Sequence, residues 1–213
     1  MTTRQPGRPR ATKSRIPGGS TEADLLDAAA ELFTSTGFSA TTTRNLTEAA
    51  GVRQATMYHH FPNKKAILLR LLIDTVEPSV ALARRLTEDD SWRSDPAATL
   101  HSLAQADALL LLTAPWNIAS LYGIPEIQGE FFAPFRELRS DLIEHYDALA
   151  DAVLTDSTDG QPDAVRHWRK RLPFSVVETV VHSRAEQPTR RSGPDDAEPL
   201  SRMIADAALN CLR

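Results

Sequence analysis

The chain has 213 residues with 24 basic and 28 acidic side chains, a formal net charge of −4, and one cysteine, Cys211. A lone cysteine excludes an internal disulfide framework and fits a reducing cytoplasm, and the longest purely apolar run, the leucines at 109–112, is too short to span a bilayer. The overall balance disfavours nucleic acid, yet residues 1–70 hold 10 basic and 5 acidic side chains while residues 71–213 hold 14 and 23, so one end suits an anion and the other does not.

The first residues, 1–19, contain Arg4, Arg8, Arg10, Lys13 and Arg15 and no acid. Prolines and glycines stand where an apolar period would be needed, so the segment reads as a disordered basic tail, and no apolar run follows to form a secretory leader. Its Gly7-Arg8-Pro9-Arg10 core resembles the AT-hook, in which extended arginines, here Arg8 and Arg10, enter a narrow A·T minor groove. A tail that only attracts phosphates without sequence preference is the equal alternative.

Leu25, Leu26, Ala29, Leu32 and Phe33 recur at helical spacing, and Gly37-Phe38 closes that helix. Leu46, Ala49 and Ala50 give a second, short helix a small apolar face. Gly51 then supplies a left-handed turn, and Val52 plugs the corner. From Gln54 to His60 a third helix keeps Ala55 and one of Met57 and Tyr58 near the body, with Phe61 as an apolar lock and Pro62 as a stop. Gln54, Thr56, His59 and His60 are left facing outward, the disposition of a recognition helix in a major groove.

The stretch from Thr41 to Lys65, TTTRNLTEAAGVRQATMYHHFPNKK, resembles the helix-turn-helix of the TetR family of transcriptional regulators. The resemblance implies that Thr42, Thr43 and Arg44 touch backbone and bases, with the Arg44 fork suited to guanine and Gln54 suited to adenine. It places Thr56, Tyr58 and His60 on thymine methyls or phosphates, and Lys64 on a phosphate. Three residues depart from the family pattern. Arg53 stands where a serine often caps the recognition helix, and adds a possible DNA contact of its own; Thr47 replaces a usual alanine; Lys65 replaces a common acid.

Beyond the head, Asn63 can cap a helix carrying Ile67, Leu68, Leu71, Leu72 and Val76, which Pro78 should kink or end. A loop at Ser91–Pro96 leads to a helix over about Ala97–Thr113, then a short helix around Trp116–Tyr122 set off by Pro115 and Gly123-Ile124-Pro125. A long helix over about Gly129–Leu154 carries Phe131, Phe132, Phe135, Leu138, Leu142, Tyr146, Leu149 and Val153. A polar turn at Ser157–Pro162 precedes helices at about Asp163–Arg184 and Pro199–Leu212, with a Pro-rich, charged loop over Gln187–Glu198 between them. No strand alternation or internal repeat is visible, so the expected fold is all-α: a three-helix helix-turn-helix head at 20–66 and a helical ligand-binding and dimerisation domain at 67–213.

By the same resemblance the last two helices pair with their copies in a four-helix homodimer interface, through Val177, Val180, Val181, Leu200, Met203, Ile204, Ala207, Ala208 and Cys211. An apolar or amphipathic small-molecule effector would enter the body among Trp116, Tyr122, Phe131, Phe132 and Phe135, with His101, Asn117 and His182 as polar anchors. The histidines have no metal-ligand spacing, and no phosphate loop, nucleophile elbow or paired-carboxylate context points to catalysis or a cofactor. The reading is a cytoplasmic, ligand-responsive repressor that binds a palindromic double-stranded DNA operator as a dimer. The alternative is a helical small-molecule-binding or catalytic protein with a vestigial head.

Overall fold

Eight α-helices joined by short loops and 3-10 turns make up the described residues, with no strand among them. The structure is a computed structural model that describes residues 15–154, 162–186 and 194–212. Arg8 and Arg10, most of the polar turn after residue 156 and the start of the Pro-rich loop lie outside those residues. The chain divides into two compact units after Leu71.

In the first unit, Ser20 caps α1 (Thr21–Ser35) by accepting the Ala23 amide at 3.1 Å, and α1 buries Leu25, Ala28, Ala29 and Phe33. Gly37 follows at φ +94°, where a side chain would be strained, and the turn it makes sets Phe38 edge-on to Phe33 with centroids 5.1 Å apart. Helix α2 (Thr43–Ala49) begins with a reciprocal cap: Asn45 donates its amide to the Thr42 hydroxyl while its own side chain accepts the Thr42 amide. Leu46 is fully buried, and Gly51 at φ +64° ends the helix and turns the chain into α3 (Gln54–His60). Met57 is the residue of α3 that enters the core, followed by Phe61. Ala55, expected near the body, is exposed instead, because the seven-residue helix buries only one narrow stripe.

Helix α4 (Lys64–Leu86) starts with Asn63 accepting the Ala66 amide at 3.0 Å. Pro78 does not end it: Leu72, Val76, Val80 and Ala83 are buried on both sides of the proline and hold the helix through it. The second unit continues with a 3-10 turn at Asp90–Ser94, in place of the expected loop, and α5 (Pro96–Thr113), capped by Asp95. The segment after Pro115 forms 3-10 turns at Ile118–Leu121, Pro125–Gln128 and Glu130–Phe132, so the long helix α6 (Ala133–Leu154) begins four residues later than its apolar period predicts. Helices α7 (Asp163–Glu186) and α8 (Pro194–Asn210) run through Pro173 and Pro199, and α8 opens earlier than expected. Helices α5 and α7 pack on each other and each on both α6 and α8, which places this pair at the centre of the body.

Candidate nucleic-acid interface and effector cavity

The head presents one polar face. Arg53, Gln54, Tyr58, His59 and His60 are exposed on or beside α3 while Met57, on the opposite side, has no accessible surface. Thr56 is half-buried, and Tyr58 leaves half of its surface in solvent. No acidic residue occurs between Glu48 and Asp74, a stretch that holds Arg53, Lys64, Lys65 and Arg70 besides the two histidines. Glu22 of α1 lies 3.8 Å from His60 Nδ1 and pairs with Arg70 at 3.5 Å. Arg53 occupies the N-cap of α3 without a side-chain cap bond, so its guanidinium is not committed to the helix end.

Other expected contacts are used differently. Thr42 spends its hydroxyl on the α2 cap, while Thr43 is half-buried and Arg44 is exposed and paired with Glu48 one turn on at 2.8 Å. That hydrogen bond, then the Glu48 charge, holds the Arg44 guanidinium above its ordinary pKa. Thr47 is buried, its hydroxyl donating to the Arg44 carbonyl, so the departure from alanine costs no orphaned group.

Lys64 is the clear correction. Its ammonium donates to the carbonyls of Phe38, Ser39 and Thr41 at 2.9, 3.3 and 2.9 Å and lies 4.5 Å above the Phe38 ring. An ammonium has three donors, and all three are taken by the α1–α2 connection, so this lysine braces the head rather than reaching for a phosphate.

In the body, a cavity of about 580 Å³ opens between α6, α7 and the 3-10 turns. Of the expected ligand residues, Tyr122, Phe135 and His182 line it. The others do not. Phe132 is core, Phe131 packs edge-on to it with its other face in solvent, and Trp116 is half-buried elsewhere. Asn117 donates to the Val181 carbonyl at 2.9 Å, and His101 meets Asp206 at 2.9 Å. Each of these two side chains thus has one polar atom engaged within the fold, and neither borders the cavity.

The charged groups of the cavity, unlike His182, were missed by sequence reasoning. Arg136 and Arg139, one turn apart on α6, line it together with Glu178 of α7. Arg139 pairs with Glu178, and its guanidinium lies 5.4 Å from the Tyr122 ring centroid and 5.2 Å from that of Phe174. Its Nε–H is buried with no acceptor. Behind this pair a small cavity of about 20 Å³ reaches Thr75 and Val76 of α4 and Asp107 of α5. Asp107 accepts from Ser79 at 2.8 Å and Tyr146 at 3.0 Å; burial pushes its carboxyl up to about 6, against the lowering pull of those donors. Burial raises the Tyr146 and Tyr122 hydroxyls well above the ordinary phenol value. A signal existed in the sequence: Asp107, Arg139 and Glu178 each interrupt an apolar helical stripe, between Leu103 and Leu112, Phe135 and Leu142, and Phe174 and Val181.

On α7 and α8 the expected interface residues separate into two sets. Val177 and Ala208 are fully buried in the chain's own core, and Val180 and Val181 keep only a small accessible surface. Leu200, Ile204 and Cys211 are half-buried, and Met203 and Ala207 are exposed. On α7, Val165, Trp168 and Leu172 are exposed at i, i+3, i+7, with Trp168 71% accessible. A second cavity, about 590 Å³, runs between α7 and α8 past Thr179, Ser183, Pro199, Leu200 and Met203. Among the described residues no group of three His, Cys, Asp or Glu could hold a metal ion, and no helix is long and apolar enough to cross a membrane.

Comparison with known proteins places these features. The family model of bacterial regulatory proteins, tetR family, matches residues 25–71, which hold α2, α3 and the turn between them. The repressor KstR2 of Rhodococcus jostii (strain RHA1), a helix-turn-helix-type transcriptional repressor, is 43% identical over 138 residues, 63% of this chain and 66% of that protein, so the chain spans just under two thirds of this curated relative. A solved structure of Mycobacterium smegmatis AmtR is 38% identical, with a TM-score of 0.81 over 94% of this chain and 89% of that one. The TetR family transcriptional regulator PfmR from Thermus thermophilus is 26% identical, with a TM-score of 0.69 over 87% of this chain and 97% of its own.

Proposed function

This chain belongs to the tetR family of bacterial regulatory proteins, and from that premise we propose that it is a DNA-binding transcriptional repressor that acts as a homodimer on a palindromic operator and is released by a small molecule. The observation that carries this is the face of α3: Gln54, Tyr58, His59 and His60 stand exposed around a helix pinned by Met57, in a stretch free of carboxylates. Gln54 opens the helix, the position from which a side chain meets base edges when the helix enters the major groove by its N-terminus. Arg53, His60 and Arg70 supply phosphate contacts.

A two-headed reader needs a symmetric partner surface. The exposed Val165, Trp168 and Leu172 of α7 with Met203 and Ala207 of α8 provide it, since helical apolar faces left in water seek a second copy. The effector enters the cavity beside Tyr122 and Phe135. Helix α4 runs unbroken from Lys64 to Leu86, so a molecule that shifts Thr75 and Val76 acts on the same helix whose first turns belong to the head. A coupling of about 1–3 kcal/mol would loosen operator binding by roughly five- to 150-fold. The test is a mobility shift with the DNA upstream of the chain's own gene at physiological salt. Binding below about one micromolar supports the reading. Binding no tighter than to unrelated DNA favours a small-molecule binder with an idle head.

A further inference from the structure

We infer that the effector is an organic acid: an apolar body carrying a carboxylate, which docks against Arg139 and Arg136 and takes the place now held by the Glu178 side chain. This deepens the effector reading above and rests on it. The cavity of about 580 Å³ has room for a drug-sized ligand, and Tyr122, Phe135 and Ile143 give it an apolar wall. Its charged lining consists of Arg136, Arg139 and Glu178, two guanidiniums facing one carboxylate, with the exposed His182 beside them. Arg136 places Nη1 on the carbonyls of Ile127 and Gly129, both at 2.7 Å, which fixes its guanidinium at the rim.

Arg139 carries the argument. A buried guanidinium donor without an acceptor costs free energy, and the Arg139 Nε–H is in that state while Glu178 holds the Nη2 end. A guanidinium presents Nε–H and one Nη–H as a parallel fork that matches the two oxygens of a carboxylate, so a ligand carboxylate satisfies both where Glu178 satisfies one. Tyr122 and Phe174 clamp the guanidinium plane and keep the fork aimed. Asp107, the other carboxylate nearby, lines only the small inner cavity, where Ser79 and Tyr146 already hold its oxygens.

The test uses the full chain and three probes that share one ring system: naphthaleneacetic acid, naphthaleneethanol and naphthaleneethylamine, titrated by calorimetry. The acid should bind at least about ten-fold more tightly than the alcohol, and the amine most weakly, since a charged hydrogen-bond pair is worth a factor of this size or more. Arg139→Met should remove the preference for the acid and keep alcohol binding. Because Arg139 is half-buried and paired with Glu178, so that its variant can misfold, Glu178→Gln provides the second arm: removing the competing carboxylate should strengthen acid binding about ten-fold and leave the alcohol unchanged. Equal binding of acid and alcohol, tightest binding of the amine, or a Glu178→Gln variant with unaltered acid affinity overturns the anion assignment while leaving an effector cavity in place. Failure of all three probes, with operator binding intact, overturns the effector site itself.

Discussion

Replacing Lys64 with alanine separates a brace from a phosphate contact. The ammonium holds three carbonyls, two of which belong to the buried residues Phe38 and Thr41 and one to the exposed Ser39. The Ser39 carbonyl rehydrates at little cost. Each buried carbonyl left without a donor costs about 1–3 kcal/mol, and loss of the cation over Phe38 adds about 0.5–1 kcal/mol, so the head should lose roughly 2.5–7 kcal/mol. For a unit of this size that lowers its melting by roughly 10 °C or more. Thermal melts followed by circular dichroism, with hydrogen exchange over Gly37–Thr41, measure the loss. The salt slope of operator binding should stay where it was, because no phosphate contact is removed. A variant that melts like the wild type and whose slope falls by about 0.9, the value of one neutralised phosphate, would refute the brace.

Gln54→Ala should relax base preference at one position of each half-site, at a cost of about 1–3 kcal/mol for the preferred sequence, whereas Arg53→Ala should weaken all sequences alike and lower the salt slope by about one; binding titrations over a set of single-base operator variants distinguish the two. Met203→Glu should give monomers that keep their helicity, because the side chain is already 59% exposed in the single chain and its replacement strains no core; sedimentation reads the change. Asp107 has its carboxyl raised from 3.8 to about 6, so the stability it contributes is present below pH 3.8 and is lost as pH rises through 6, about 3 kcal/mol by pH 7. Asp107→Asn should therefore gain on the wild type across that window in denaturant titrations, and a difference that is flat with pH would contradict the burial argument.

The head is legible in the sequence because its determinants are local. Gly37 and Gly51 need positive φ, Asn63 caps α4, and Met57 and Phe61 fall on the one apolar stripe of a short helix. Lys64 misleads for the opposite reason: its three partners lie 23 to 26 residues back, and nothing in its own neighbourhood reveals them. The body follows the same divide. Apolar period locates α5, α6 and α7, but aromatic type does not select the cavity lining, since Phe132 and Phe135 are equally buried and only Phe135 borders the opening. The valines of α7 read as an interface because burial within a chain and burial between chains give one pattern; Val177 has no surface left to share, whereas Met203 and Ala207, on the same kind of stripe in α8, are exposed. Charges that break an apolar stripe are the better guide: Arg139 and Glu178 line the cavity and, with Asp107, the small one behind it.

The central claim, that α3 reads an operator as one of a symmetric pair, is tested most directly by selecting bound duplexes from a random pool with the full chain at physiological salt, with Gln54→Ala in parallel. The account predicts enrichment of a two-fold symmetric site whose half-sites are centred about one helical turn, or a multiple of it, apart, with information lost at the Gln54 position in the variant. A pool that enriches no sequence, or the same symmetric site with undiminished information in Gln54→Ala, would contradict it.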